Sequence, residues 1–234
     1  ADLLIALGTR FVCQSDCSRT GYPQVERVVN VNTDPHAALH YQRTTALVGD
    51  VRPTLRKLVA RLAERGGPAD RGPSPWLRDC ALKRREWDDF RAQRYANPTL
   101  SDPVWDREVL TQPAVIKIVS DFARKRDAVC FYDAGDVQAN GFQIVEDDLP
   151  TRTFTETGAS YMGFAVSALL ATGLSHDPFY GVALTGDGSF TMNPQVLIDG
   201  VAQGATGVIV LLDNRRMAAI SSLQRAQHGH DHAT

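Results

Sequence analysis

No apolar run in this sequence approaches the roughly 20 residues that a membrane-spanning helix needs. Neither sign of charge dominates: 25 Lys and Arg stand against 27 Asp and Glu, a formal net charge of −2. That near-balance argues against a broad nucleic-acid or membrane surface. There is no internal repeat, no low-complexity tract and no basic-then-apolar leader, so a cytoplasmic protein is expected. Cysteine is scarce. Cys13 and Cys17 are near neighbours, whereas Cys80 and Cys130 are isolated. A C-x3-C pair without a second pair is a weak zinc signal, and plain reduced thiols are expected. The 234 residues, 43% of them hydrophobic, suffice for one large or two modest domains with a sizeable core.

What the sequence does contain is a succession of apolar segments that stop at glycine or an acid. Residues 1–8 read as a buried parallel strand, residues 25–32 as a second, and residues 46–48 as a third. Val51, Leu55, Leu58, Val59 and Leu62 then share one helical face. This pattern predicts the C-terminal half of a doubly wound α/β domain over residues 1–65. Residues 66–75 (GGPADRGPSP) are a linker by composition. Residues 76–94 form a charged, helix-permissive stretch, and residues 97–103 read as a further break. Residues 66–109 are therefore expected to be a linker with a helix, and residues 110–234 a second α/β domain.

In that second domain Thr111 should cap a helix that has Pro113 in its first turn. Residues 128–132 read as a strand, residues 153–155 as a short strand, and residues 160–174 as a helix rich in small residues. An apolar run at Val182, Ala183 and Leu184 ends in Gly186-Asp187-Gly188. A helix capped by Asn193, with Pro194 at its first position, should follow. Residues 208–212 form the next apolar run, ending at Asp213-Asn214.

A strand–helix–parallel strand unit usually sets its two strands side by side. Asp187 and Asn214 should then meet at one sheet edge, where open α/β sheets bind ligands. A carboxylate and an amide oxygen are hard donors, suited to Mg²⁺ or Ca²⁺ rather than zinc. Gly186 and Gly188 allow close backbone approach. The amides of Gly188 and Ser189, with the helix start near Asn193, could face a phosphate.

GDGSFTMN followed by LLDN resembles the diphosphate-binding domain of thiamine-diphosphate enzymes of the acetohydroxyacid synthase/pyruvate oxidase superfamily. ADLLIALGTRF, VVNVNTDP and ALVGDV look like the second half of that superfamily's central domain, and TETGASYMGFAVSALLA like its Met-Gly segment. The resemblance covers nearly the whole chain. It implies that Asp187, the Asn214 side chain and the Arg216 carbonyl hold Mg²⁺. Gly135, Gly186, Gly188, Ser189 and Asn214 would lie about the diphosphate. Met162 would be the apolar wedge that bends the cofactor, and the Ser160 carbonyl would accept a hydrogen bond from its aminopyrimidine. A lone Met162 would otherwise be read as core.

The activating glutamate of that superfamily comes from the pyrimidine domain of a partner subunit. No segment here corresponds to it, so the chain is expected to be part of a longer enzyme working as a homodimer or homotetramer on a small-molecule carbonyl substrate. The departures bear on the reaction. Asp213 stands where acetohydroxyacid synthases have Asn, Ala218-Ala219 near their Gly-Met pair, Val196 for a glutamate, and Asp136 for a polar neutral residue. Asp213-Asn214 with Ile220, Leu223 and Gln224, and Glu156 ahead of Met162-Gly163, resemble the trihydroxycyclohexane-dione hydrolases of inositol catabolism. Ring opening of a cyclic diketone is the expected reaction. An acetohydroxyacid synthase-like carboligase or 2-oxo acid decarboxylase is the alternative, and a non-catalytic fragment retaining the fold a further one. FAD could contact the turns at Gly8-Thr9-Arg10 and Asp34-Pro35, but nothing demands it and it is not favoured. His228, His230 and His232 form an H-x-H-x-H run that could ligate a metal; a polar loop or tail is the simpler reading.

Overall fold

Three aliphatic, β-branched runs near the start of the chain form the strands expected of them. In the computed structural model, which describes residues 2–11, 21–67, 72 and 74–234, they are β1 (Leu3–Leu7), β2 (Arg27–Asn32) and β3 (Thr44–Val48). They pair in parallel in the order β1-β2-β3. The chain divides into two compact units, Ala1–Arg85 and Glu86–Thr234. In the first unit Asp34 caps α1 (Pro35–Ala38) by accepting from the His36 N–H at 2.9 Å. Asp50 caps α2 (Val51–Glu64) by accepting from Arg52 N–H at 2.8 Å. Ala6, Phe11, Val28 and Tyr41 form a small core, with the Phe11 and Tyr41 rings 5.0 Å apart. The apolar face expected on α2 is present, yet Leu58, Val59 and Leu62 are exposed on it. Cys13 and Cys17 lie outside the described residues; Cys80 is exposed, Cys130 buried, and both are free thiols.

Helix α3 (Pro75–Ala96) runs through the division between the units. Residues 97–103 were expected as a break. Instead β4 (Thr99–Asp102) and β5 (Arg107–Leu110) form an antiparallel hairpin. Its strands are short and polar, with no alternation to betray them. Then comes α4 (Gln112–Lys125), capped as expected: Thr111 Oγ1 accepts from Ala114 N–H at 3.4 Å. The remaining elements are β6 (Val129–Tyr132), α5 (Asp136–Ile144), β7 (Thr153–Thr155), α6 (Phe164–Ala168) and α7 (Ala171–Leu174). After them come β8 (Gly181–Gly186), α8 (Asp187–Phe190), α9 (Val196–Ala202), β9 (Gly207–Leu212) and α10 (Ala218–His228).

The four strands β7-β6-β8-β9 form one parallel sheet. Its central strands are buried along their lengths, as parallel strands covered on both faces are. Ile116, Val137, Ile144, Val182 and Leu184 pack on one face; Phe131, Ala165, Leu169 and Ala183 pack on the other. Gly181 and Gly207 are partners at the first rung of the β8–β9 ladder. A Cβ on Gly207 would lie 2.4 Å from the Gly181 carbonyl oxygen, so only glycine fits there.

Two expected helix starts are corrected. Residues 160–174 are not one helix: Ser160 and Gly163 have left-handed backbones (φ 55 and 88), so α6 begins only at Phe164, and α7 follows as a separate short helix. Asn193 does not cap the helix after Gly186-Asp187-Gly188. Its side-chain amide donates to Ser167 Oγ at 2.9 Å, and α9 starts later, behind Gln195, with no side-chain cap. The helix that meets the strand end is α8. Among the described residues no helix is long and apolar enough to cross a membrane.

Candidate cofactor and metal site

Strands β6, β8 and β9 are parallel neighbours, so their carboxyl ends open on one edge of the sheet. Gly186 pairs with Leu212 at the last rung of the β8–β9 ladder. Asp187 and Asn214 follow directly, although 27 positions separate them in sequence. A cleft of about 240 Å³ lies at this edge. Gly135 and Asp136 line it from the end of β6, and Gly186, Asp187, Gly188 and Ser189 from the end of β8. Asn214 and Arg216 border it beyond β9, and Ser160 and Met162 from the segment before α6. Each residue singled out by the motif thus borders this one cavity. Gln112, Ala134, Val137, Leu212, Met217, Ala218, Ala219 and Ile220 complete the walls; of these, Ala218, Ala219 and Ile220 are positions that the sequence marked as bearing on the reaction.

Because α8 starts at Asp187, the Gly188 and Ser189 amides fall in its first turn and have no intrahelical acceptor. Such amides carry partial positive charge and suit an anion. The Asp187 carboxylate has no hydrogen-bond or ion-pair partner among the described residues. Beyond β9 the loop folds through two successive turns. Asp213 Oδ1 accepts from Arg215 N–H, and Asn214 Oδ1 from Arg216 N–H, both at 3.1 Å. Arg215 between them is left-handed (φ 54). The second bond orients the Asn214 amide and leaves its oxygen a free lone pair. A carboxylate and an amide oxygen are hard donors, suited to a cation whose shell is completed by water or phosphate oxygens. No three His, Cys, Asp or Glu side chains come together to hold a metal among the described residues.

Opposite the turn stands Met162. A Cβ added to Gly188 would lie 3.5 Å from the Met162 methyl, so glycine leaves the gap between them open. The backbone beside Met162 is fixed by Asp133, which is fully buried. Asp133 Oδ1 accepts from the N–H groups of Ala134 and Gly163, both at 2.9 Å, and Oδ2 accepts from Thr185 Oγ1 at 2.8 Å. One carboxylate therefore joins the ends of β6 and β8 to the Met162-Gly163 segment. Gly163 must be glycine on two counts: its φ is 88, and a Cβ would come within 3.1 Å of Met192 Cβ. Nothing in the sequence marks Asp133, because a lone acid after a strand reads as a turn.

Gln138 organises the neighbouring loop. Its Nε2 donates to Thr155 Oγ1 and to the Glu156 carbonyl, both at 2.7 Å, and its Oε1 accepts from Ser160 Oγ at 3.3 Å. Glu156 folds back on the same loop. The amides of Ala159, foremost, and Gly158 hold its carboxyl below the usual carboxylate range. It is a loop-capping group and does not border the cleft. Asp136 does border it, as the first residue of α5, where the helix dipole favours an acid. The histidine run stays outside. His230 and His232 have their Nε2 atoms 2.8 Å apart on the exposed end of the chain, and Asp231 pairs with Arg225.

The family described as thiamine pyrophosphate enzyme, C-terminal TPP binding domain, matches residues 133–234. The 3D-(3,5/4)-trihydroxycyclohexane-1,2-dione hydrolase of Lacticaseibacillus casei is 26% identical, over 100% of this chain and 38% of its own length. The acetolactate synthase isozyme 2 large subunit of Escherichia coli (strain K12) is 28% identical, over 96% of this chain and 37% of its own. The trihydroxycyclohexane-dione hydrolase of Bacillus subtilis (strain 168) is 25% identical, over 98% and 37%. The chain thus spans a little over a third of the length of the curated relatives it matches. Residues 133–234, which include most of the cleft lining, are thus similar to the C-terminal TPP-binding domain of thiamine pyrophosphate enzymes.

Proposed function

We propose that this chain is the diphosphate- and metal-binding portion of an enzyme that uses thiamine diphosphate and Mg²⁺ to break or make a C–C bond beside a carbonyl. One observation carries the reading: the hard donors Asp187 and Asn214 stand beyond neighbouring parallel strands, in one cleft with the first-turn amides of α8 and with Met162. When bound, thiamine diphosphate supplies a nucleophilic carbon that adds to a carbonyl and an electron sink for the bond that breaks. The chain's own residues do the holding. Asp187, Asn214 Oδ1 and the Arg216 carbonyl grip the cation, and the amides of Gly188 and Ser189 take diphosphate oxygens. Gly135 and Gly186 let the backbone come close. Met162 keeps the cofactor bent, and the Ser160 carbonyl orients its amino group. The glutamate that activates the cofactor belongs to a partner subunit's pyrimidine domain, in a homodimer or homotetramer. The protein is cytoplasmic in this reading.

Hydrolytic ring opening of a cyclic diketone is the favoured reaction. The Lacticaseibacillus hydrolase matches along the full chain, and Asp213, Ile220 and Gln224 follow the pattern of such hydrolases. The 28% identity to an acetolactate synthase subunit keeps carboligation as the second reading. Ile220 and the small Ala218 and Ala219 form the cleft wall beyond the metal loop, where the substrate would be chosen. Calorimetry with thiamine diphosphate, with and without Mg²⁺, tests the site: Asp187→Ala and Asn214→Ala should each abolish the metal-dependent part of binding. Unchanged binding in both would overturn the assignment. Incubating the protein with pyruvate, 2-oxobutyrate and a cyclic diketone then separates the reactions, since acyloin-type products from the oxo acids alone would exclude the hydrolase.

A further inference from the structure

We infer that the β4–β5 hairpin is the brace of the metal loop, with Trp105 and Asp102 as positioning residues for Asn214 and the Arg216 carbonyl. The inference rests on the proposed role of those two groups and adds residues that neither the motif nor the family match reaches, since the match begins at Asp133.

The loop after β9 needs such a brace. Arg215 holds a left-handed backbone, a conformation that persists in a non-glycine residue only where the surroundings fix it. The two short turns closed by Asp213 and Asn214 fix it from within. The hairpin fixes it from outside, at both side chains that follow Asn214. The Arg215 guanidinium lies 3.6 Å over the Trp105 ring, and Arg107 also lies over that ring at 5.3 Å. One indole thus takes two guanidinium groups, a favourable use of its electron-rich faces. Next in sequence, Arg216 Nη2 stands 3.9 Å from Asp102 Oδ2. Asp102 is buried, and its other oxygen is committed to the hairpin turn, accepting from Val104 N–H at 2.8 Å and Trp105 N–H at 3.2 Å. The same carboxylate therefore shapes the turn that carries Trp105 and reaches the arginine whose carbonyl faces the cation in the proposed site. The two contacts seize adjacent residues from one side, which restricts the direction of the peptide between them. Side chains of this kind orient metal ligands without touching the metal, and their loss commonly lowers metal affinity.

The experiment measures Mn²⁺ binding, as an electron-spin-resonance probe for the divalent site, to the protein in saturating thiamine diphosphate. Trp105→Ala and Arg215→Ala should each weaken Mn²⁺ by roughly 3- to 30-fold. The double variant should be no weaker than the worse single one, because both remove the same contact. Trp105→Phe should restore most of the affinity by keeping an aromatic face. Arg215 is exposed, so its truncation keeps the test alive if the hairpin variant folds poorly. When the same substitutions are made in the intact enzyme, turnover at saturating metal should return to that of the parent, while the metal concentration for half-maximal rate rises. Losses that add in the double variant, or Mn²⁺ affinity unchanged in Arg215→Ala, would overturn the brace. Asn214→Ala separates the two levels: if it leaves Mn²⁺ binding intact, the metal-site reading itself fails; if it abolishes binding while Arg215→Ala does nothing, only the brace fails.

Discussion

Replacing Asp133 should loosen the site from beneath, and the structure gives the size of the effect. The carboxylate is fully buried and accepts three hydrogen bonds, from Ala134 N–H, Gly163 N–H and Thr185 Oγ1. In Asp133→Ala all three donors lose their acceptor. Thr185 recovers, because its hydroxyl already lies 3.2 Å from the Gly186 carbonyl. The two backbone amides do not. Each buried, unsatisfied donor costs about 1–3 kcal/mol, so the variant should lose about 2–6 kcal/mol of stability. Asp133→Asn keeps Oδ1 for both amides and presents its NH₂ to Thr185, whose hydroxyl can turn to accept. Its loss should be nearer 1 kcal/mol. Urea unfolding followed by circular dichroism gives the two losses. Amide exchange at Gly163 locates them, since that proton should exchange much faster in the alanine variant and little faster in the asparagine one. Equal losses in the two variants, or Gly163 protection unchanged in Asp133→Ala, would refute the reasoning.

Three further outcomes are expected. Gly207→Ala should destabilise the second unit by about 3 kcal/mol or more, because the new methyl meets the Gly181 carbonyl at 2.4 Å, where both partners are backbone; a midpoint of urea unfolding within error of the parent would contradict it. Burial pushes the Cys130 thiol up to about 11, so at pH 8 iodoacetamide should alkylate exposed Cys80 while Cys130 stays unmodified, as peptide mass spectrometry would show; since the folded value lies above the unfolded one, its contribution to stability is complete below about pH 8.5 and is lost as pH rises toward 11. The Glu156 carboxyl is held low by the Ala159 and Gly158 amides, so its contribution is present above the ordinary carboxylate range and is lost as pH falls below it; an NMR titration of its side chain with a midpoint at or above about 4.3 would count against the bonds.

The second unit was largely legible in sequence where its elements obey strong local rules. Apolar strands stopped at Asp187 and Asp213, Thr111 and Pro113 announced a helix start, and the crossover rule put β8 beside β9. The co-location of Asp187 and Asn214 followed from those three facts. What escaped has a physical cause in each case. The β4–β5 hairpin has too few apolar residues to show a period of two. Helix α5 opens on Gly135-Asp136 and contains Asn140-Gly141, residues that read as a turn when neighbours are unknown. Asn193 carries a strong N-cap signature, but Ser167, 26 positions earlier, takes its amide. Asp133 gave no signal at all, because what makes it matter is burial by three segments remote in sequence. Local preference placed the apolar strands and the Thr111 helix start; long-range hydrogen bonding decides which polar residues hold the site.

The cleft is assembled from the ends of three strands and the segment before α6, and every one of its lining residues lies between Gln112 and Ile220, inside the second unit. A ligand that touches all of these ends at once can bind only when the sheet has formed in full register. Its binding free energy is therefore added to the global opening of that sheet rather than to any one loop. Saturation with cofactor at a hundred times its dissociation constant would deepen the folded well by about 2.7 kcal/mol. The amides of β6 and β8, farthest from the ligand along the strands, would share that protection equally with those at the turn.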